Sequence, residues 1–355
     1  MRSLVLAAVL AFSGFPALAA DPAPTDPVPT VPASDLTGLQ TAFDPMGPAV
    51  QALTLPDGRV VHYIDEGASD WRPVLYVSGT GTSVRAFGMT EYLRSLRTKL
   101  KLRFIAVERN GFGDTEFRPG WTTKDYAAEV RAVLDHLGVQ QTAALAISGG
   151  GPYLAEIAAE MPDRLISLHF LAATSGFGPE KKACQMSDAE LTEAMTSAQN
   201  PEAWWTYPET SPTRRIPGFA DRAYEEGART YFIRGQMGDL RGQVAEYRRY
   251  CTGPKADVTR VQVPVYVYQG TADTSVPLDQ ARYWQSQFPD VRKARIYEGE
   301  GHDVQYRHWD QLLLDVAGHS GLTMLCADGT SQAVPEADAR ALLAKGATLG
   351  ICAWR

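Results

Sequence analysis

The chain has 355 residues, 45% of them hydrophobic and 21% charged, and a formal net charge of −7. That is enough for one large domain with a small accessory, and the apolar fraction is ordinary for a globular protein. The acidic balance and the lack of any basic block exclude nucleic acid or an anionic membrane surface as the principal partner, because both reward clustered Lys and Arg.

Residues 1–20 carry Arg2, an apolar segment from Leu4 to Phe15 and then Ala17-Leu18-Ala19, the layout of a secretory signal peptide cleaved after Ala19 or Ala20. The segment is short for a bilayer span and is broken by Gly14 and Pro16, so no stable membrane anchor is expected. The expected location is therefore the periplasm or the secreted fraction. Residues 21–40, rich in Pro, Ala, Thr and Asp, read as an extended linker.

Gln51–Leu55 and Arg59–Asp65 are strand-like runs joined by the turn signal Pro56-Asp57-Gly58. Pro73–Val77 reads as a buried strand, followed by a helix to about Leu100, and Leu102–Val107 as the next strand. Thr122 can cap a helix whose stripe of Tyr126, Val130, Val133, Leu134 and Leu137 faces a sheet and which Gly138 ends. Thr142–Ile147, Leu165–Leu171, Val263–Tyr268 and Ala294–Tyr297 are further strands. Strands alternating with helices of this length predict an α/β fold: a mostly parallel sheet covered on both faces, with an antiparallel hairpin at its start.

Residues 175–261 interrupt the alternation with segments that carry Trp204, Trp205, Tyr207, Phe219, Tyr224, Tyr231, Phe232, Tyr247 and Tyr250. This insertion is too long for a loop and too aromatic for disorder. It reads as a mainly helical cap over the carboxyl ends of the strands, its aromatics forming cap core rather than substrate contacts. Four cysteines in an exported chain can pair. Cys184 and Cys251 bracket most of the insertion and Cys326 and Cys352 bracket the tail, so 184–251 and 326–352 are the economical pairs among three connectivities. No C-x-x-C or Cys/His spacing suggests a metal site.

The stretch that carries chemistry is Leu145-Ala146-Ile147-Ser148-Gly149-Gly150-Gly151-Pro152. A strand that turns into a helix within two residues strains its hinge residue, here Ser148, and needs small neighbours, which Ala146, Gly149 and Gly150 supply. The pattern matches the nucleophile elbow G-x-S-x-G, with Ala146 at the first glycine. Pro152 suits a first helical turn, so Ser148 stands at a helix N-terminus, where developing negative charge is favoured.

Together with Ser78-Gly79-Thr80-Gly81-Thr82, Glu108–Thr115, Gly270–Pro277 and Gly301-His302, this elbow gives the chain from about Leu53 to Ala317 a resemblance to α/β-hydrolase-fold serine hydrolases. The resemblance implies a core of residues 41–174 and 262–320, with the nucleophile, acid and base in that chain order. By that resemblance Ser148, Asp273 and His302 take those roles, the acid and the base each in a loop at the carboxyl end of a strand. Asp279 and Asp303 are fallback acids. His62, His136 and His169 fall inside strands or helices, and His308 and His319 on or beyond the final helix, so they read as structural or solvated. The oxyanion hole is implied at the backbone N–H groups of Gly149 and Thr80. Ser78 stands where the family usually has a histidine that buttresses this loop. Arg109 and Asn110 read as loop-shaping residues at the site rim and are left outside the site.

A serine nucleophile excludes the branches of this fold that attack with an aspartate, including haloalkane dehalogenases and related epoxide hydrolases. The Ser78–Thr82 loop differs from the HGGPG loop of the proline iminopeptidase branch. The implied activity is cleavage of a carboxylic ester or related acyl bond of a small-molecule substrate through an acyl-enzyme on Ser148, with no cofactor or metal required. The alternatives are an amidase or aminopeptidase-like hydrolase, for which Glu225, Glu226 and Glu246 are available to read an amine, or a binding protein on a hydrolase scaffold. The tail, residues 321–355, looks like a degenerate copy of a two-cysteine motif of exported bacterial proteins, its histidines replaced by Ala327, Leu342 and Lys345. It reads as a separate, disulfide-closed appendage. Oligomeric state is not encoded in any of these patterns.

Overall fold

The first hairpin closes at Pro56-Asp57-Gly58, where Gly58 takes φ +84° and Arg59 N–H donates to Asp57 Oδ1 at 3.1 Å. Its arms are β1 (Gln51–Thr54) and β2 (Val60–Glu66). The computed structural model describes residues 31–32, 36–39, 43, 47–198, 212–221, 239–253 and 255–352. The expected signal peptide and most of the 21–40 linker lie outside these residues.

β1 and β2 are followed by β3 (Arg72–Val77), β4 (Leu102–Val107), β5 (Thr142–Ile147), β6 (Leu165–Leu171), β7 (Val265–Gly270) and β8 (Val291–Tyr297). One sheet holds all eight in the order β1-β2-β4-β3-β5-β6-β7-β8. β2 runs antiparallel to β1 and β4, and each neighbouring pair from β4 to β8 is parallel.

Alternation along the strands explains why the sheet is buried on both faces. Val74, Tyr76, Phe104, Ala106, Ala143 and Leu145 face one apolar cluster, which includes Phe87, Trp309 and Leu312. Leu75, Val77, Ile105, Val107, Ala144 and Ala146 face the other, with Val130, Leu134, Leu154 and Ile157. A strand whose two side-chain rows are both apolar reads as a continuous hydrophobic run, which is the pattern of β5. The helix Thr123–His136 starts on a capping box between Thr122 and Asp125, and Gly138 takes φ +68° just beyond it.

Between β6 and β7 the described residues form the helices Lys182–Gln185, Asp188–Ala198 and Arg241–Thr252 and a 3-10 turn at Pro212–Arg215. Leu191, Met195, Leu240 and Val244 make a small cluster of their own, and a disulfide joins Cys184 to Cys251. Phe219 packs on Tyr92 and Tyr306 within the main core, while Trp204, Trp205, Tyr207, Tyr224, Tyr231 and Phe232 lie outside the described residues.

At the end of the 21–40 segment, Val31 and Leu36 are buried in the main cluster. The tail packs on the main core. It forms an antiparallel sheet of β9 (Leu322–Ala327), β10 (Thr330–Pro335) and β11 (Thr348–Leu349), with β9 central and the helix Glu336–Leu343 between β10 and β11. Asp328 and Gly329, both with positive φ, make the tight turn that joins β9 and β10. Leu322, Met324 and Ile351 enter the main core, and a disulfide joins Cys326 to Cys352. The helix Trp309–Val316 receives this sheet with side chains: Gln311 accepts from Met324 N–H and donates to Leu322 O, and Asp310 accepts from Ile351 N–H at 2.7 Å. Apolar residues spaced along the tail thus have a shared core to enter, which the tail alone is too small to build.

Candidate active site

Ser148 follows β5 directly, and its φ of +49° is a left-handed conformation that a non-glycine residue rarely adopts. Residues 148–150 make one 3-10 turn that runs into the helix Gly151–Glu160, with Pro152 in its first turn. The turn closes so tightly that glycine is required after the serine. A Cβ on Gly149 would lie 1.9 Å from Thr80 Oγ1 and 2.4 Å from the Tyr250 hydroxyl, and one on Gly150 would lie 2.7 Å from Val77 O. Ala146 fits where a glycine was the pattern's norm, its Cβ lying 3.2 Å from the position of a Gly150 Cβ.

Asp273 lies in the loop after β7 and His302 in the loop after β8. His302 Nε2 is 3.1 Å from Ser148 Oγ, and His302 Nδ1 is 2.7 Å from Asp273 Oδ2. The Asp273 carboxylate is buried and held on both oxygens: Oδ1 accepts from Ser275 and Val276 N–H, and Oδ2 accepts also from Gln269 Nε2 at 3.0 Å. Asp303 accepts from the Thr213 hydroxyl at 3.0 Å, and Asp279 is exposed in the first turn of the helix Leu278–Gln287.

Three of the remaining histidines, His62, His169 and His308, have other partners. His169 is fully buried, between Ser167 Oγ (2.9 Å) and the Tyr268 hydroxyl (3.0 Å); burial, reinforced by the charges of Arg72 and Arg295, lowers its pKa to about 3. His308 stacks on Tyr297 and lies 2.8 Å from Glu300 Oε2. His62 lies 3.0 Å from Thr115 Oγ1, and His136 is exposed.

Thr80 approaches the Ser148 turn from the loop after β3; its backbone N would lie 2.8 Å from a Gly149 Cβ. Sequence reasoning missed what holds this loop. Arg109 is buried between the rings of Phe112 and Tyr153 and donates to the carbonyls of Ser78, Gly79 and Thr82. It pairs with Glu246 at 2.8 Å, and Glu246 in turn accepts from Gly81 N–H at 2.8 Å. Tyr250, one turn along the same helix, donates to Gly149 O at 2.9 Å and accepts from the Thr80 hydroxyl at 3.3 Å. Asn110 shapes the neighbouring loop, accepting from Arg59 and from Arg118 N–H. The four-residue spacing of Glu246 and Tyr250 is the one cue in the sequence that they share a face.

A groove of about 1020 Å³, lined by Trp121, Leu240, Val244 and Arg249 among others, includes none of Ser148, Asp273 and His302. Among the described residues no group of three or more His, Cys, Asp or Glu side chains is arranged to hold a metal ion.

The fold is similar to that of several solved structures. A hydrolase from Pseudomonas aeruginosa PA01 superposes with a TM-score of 0.59 at 19% identity, over 76% of this chain and 98% of that one. An esterase from Rhodococcus sp. ECU1013 gives 0.55 at 19% identity over 76% and 98%. The enol-lactonase from Burkholderia xenovorans LB400 gives 0.58 at 17% identity over 76% and 99%. Residues 72–308, from β3 through the His302 loop, match the family model described as the alpha/beta hydrolase fold. With the sheet order and the elbow after β5, that match identifies the chain as a member of the α/β-hydrolase fold family.

Proposed function

We propose that the protein is an exported serine hydrolase that cleaves a carboxylic ester or related acyl bond of a small molecule through an acyl-enzyme on Ser148. The observation that carries this reading is the continuous path from Ser148 Oγ to His302 Nε2, 3.1 Å, and from His302 Nδ1 to Asp273 Oδ2, 2.7 Å. A carboxylate only accepts, so Asp273 keeps the imidazole proton on Nδ1 and leaves the Nε2 lone pair for the serine proton. Ser148 Oγ then bonds to the acyl carbon while its proton passes to Nε2, and the carbonyl π pair moves onto oxygen. The backbone N–H groups of Thr80 and Gly149 receive that oxyanion. Its collapse breaks the bond to the leaving group, which takes the proton from Nε2. Water repeats the sequence on the acyl-enzyme, frees the acid and restores Ser148.

An ester is favoured over an amide because its leaving group needs less protonation. Glu246 does not support an amine-reading role, since its two oxygens are taken up by Arg109 and Gly81; Glu225 and Glu226 lie outside the described residues. In this reading residues 175–261 form the cap that sets specificity over a core of 41–174 and 262–320, and 321–355 stabilise that core. Export from a signal peptide at 1–20 is supported by the two disulfides. Among the described residues no helix is long and apolar enough to cross a membrane.

The test is intact-protein mass after treatment with a fluorophosphonate. One adduct on wild type and none on folded Ser148→Ala is the expected result. A folded wild type that takes no adduct overturns the proposal in favour of a binding protein on this scaffold.

A further inference from the structure

We propose that Glu246 and Tyr250, on the helix Arg241–Thr252 of the 175–261 insertion, are positioning residues that hold the oxyanion-stabilising N–H of Thr80 in place. This rests on the serine-hydrolase reading above. A trans peptide points its C=O and the following N–H in opposite directions, so fixing one aims the other. The Gly79 carbonyl is fixed by Arg109 Nη2 at 2.6 Å, which sets the Thr80 N–H on the other side of the same unit. The next unit is fixed at its nitrogen, where Gly81 N–H donates to Glu246 Oε2 at 2.8 Å. Thr80 is therefore clamped on both sides by one ion pair, Arg109–Glu246, whose side chains are 2% and 0% exposed.

Such a pair is costly to bury and strongly destabilising to break, yet it is spent on a loop of small residues. Its geometric product is a fixed loop conformation. Ser78 occupies the position from which a larger side chain would buttress that loop, and Arg109 bonds to the Ser78 carbonyl as well. Tyr250 completes the clamp. It lies four residues beyond Glu246 on the same helix face, and its hydroxyl bridges the two sides of the hole, donating to Gly149 O and accepting from the Thr80 side chain. The helix itself is tethered by the Cys184–Cys251 disulfide next to Tyr250 and by Arg249, which donates to Trp121 O and the Tyr153 hydroxyl. The insertion thus acts on the chemical step as well as on access to the site.

The test compares Tyr250→Phe and Glu246→Gln with Tyr247→Phe, a control on the same helix whose ring packs on Phe177. The readouts are kcat and KM with p-nitrophenyl butyrate, fluorophosphonate adduct formation and thermal unfolding. Tyr250→Phe removes only a hydroxyl, so it remains informative if Glu246→Gln fails to fold. The expected result is a fall in kcat of about tenfold for Tyr250→Phe, the scale of one to two hydrogen bonds, with KM within about twofold and the unfolding midpoint close to wild type. Glu246→Gln is expected to lower kcat by about a hundredfold, the scale of losing one oxyanion donor. Tyr247→Phe is expected to match wild type. Retention of kcat within about twofold by both variants, in a background where wild type takes the adduct, overturns the positioning roles and leaves the hydrolase reading intact. An equal fall in Tyr247→Phe also overturns them, because general softening of the helix then explains the loss. Failure of wild type itself to take the adduct is the separate result that removes the hydrolase reading.

Discussion

Gly149→Ala tests the geometry of the Ser148 turn, the nucleophile turn of the proposed reaction, with one methyl group. The added Cβ would sit 1.9 Å from Thr80 Oγ1, 2.4 Å from the Tyr250 hydroxyl and 2.8 Å from Thr80 N. All three are far inside an ordinary contact of roughly 3.5 Å. Rotation of the Thr80 side chain relieves the first. It leaves the other two, which involve the tip of a rigid buried ring and a backbone atom. The chain must respond by moving the Thr80 loop or the Tyr250 helix away from Ser148, and either displaces a main-chain donor. For the proposed reaction, the expected fall in kcat is about 10²- to 10³-fold, the effect of losing one oxyanion donor. The expected loss of stability is about 1–3 kcal/mol, typical of overpacking. Burst and steady-state kinetics with p-nitrophenyl butyrate measure the first and chemical denaturation the second. A variant whose kcat stays within about threefold of wild type would refute the reasoning, because the loop would then be shown to move without consequence for charge stabilisation.

Three further outcomes follow from other parts of the molecule. Asp273→Asn keeps the shape but allows the imidazole its other tautomer, so kcat is expected to fall by about 10⁴-fold, measured beside Asp279→Asn and Asp303→Asn, which are expected to retain far more activity. His169, with a pKa lowered to about 3 by burial and by the charges of Arg72 and Arg295, must stay neutral in the folded state. The unfolded chain binds this proton below about pH 6.5, so the stability it contributes is complete above that pH and is lost as pH falls toward 3, with about 2 kcal/mol gone by pH 5. Unfolding free energies of wild type and His169→Asn from chemical denaturation between pH 8 and pH 5 are expected to diverge by that amount; parallel profiles would contradict it. Replacing Cys326 and Cys352 by serine opens a loop with a sequence separation of 26 residues. The loop-entropy relation puts the loss at about 3.5 kcal/mol, read by chemical denaturation, with the tail remaining docked through Gln311 and Asp310.

How much of this molecule could be read from its residues depends on the range of the interaction. The sheet was legible because each strand carries its own evidence. β5 is apolar on both side-chain rows, and Pro56-Asp57-Gly58 and Thr122 mark a turn and a helix start through effects that act within a few residues. The elbow was legible for the same reason: a serine at φ +49° next to close backbone contacts needs small neighbours, and those neighbours are adjacent in the chain. Asp273 was less so. Asp279 and Asp303 are also acids in loops or helix starts near the sheet edge, and only the contacts of the folded chain set Asp273 against His302 and Asp303 against Thr213.

The sequence by itself therefore determined the α/β alternation, the hairpin, the strained serine and the order of the candidate acid and base, because these rest on periodicity, turn chemistry and local sterics. Tertiary structure alone decided what holds the Thr80 loop and where the tail belongs. Gly81 and Glu246 are 165 residues apart, and their hydrogen bond has no local signature in either segment. Glu246 looked like an available carboxylate in the sequence and became the buried partner of Arg109 in the fold. The tail looked too small to stand alone, and it does not stand alone: Leu322, Met324 and Ile351 share the core of the large sheet. In both cases the deciding quantity is burial, which belongs to the pairing of distant segments and exists only once they have met.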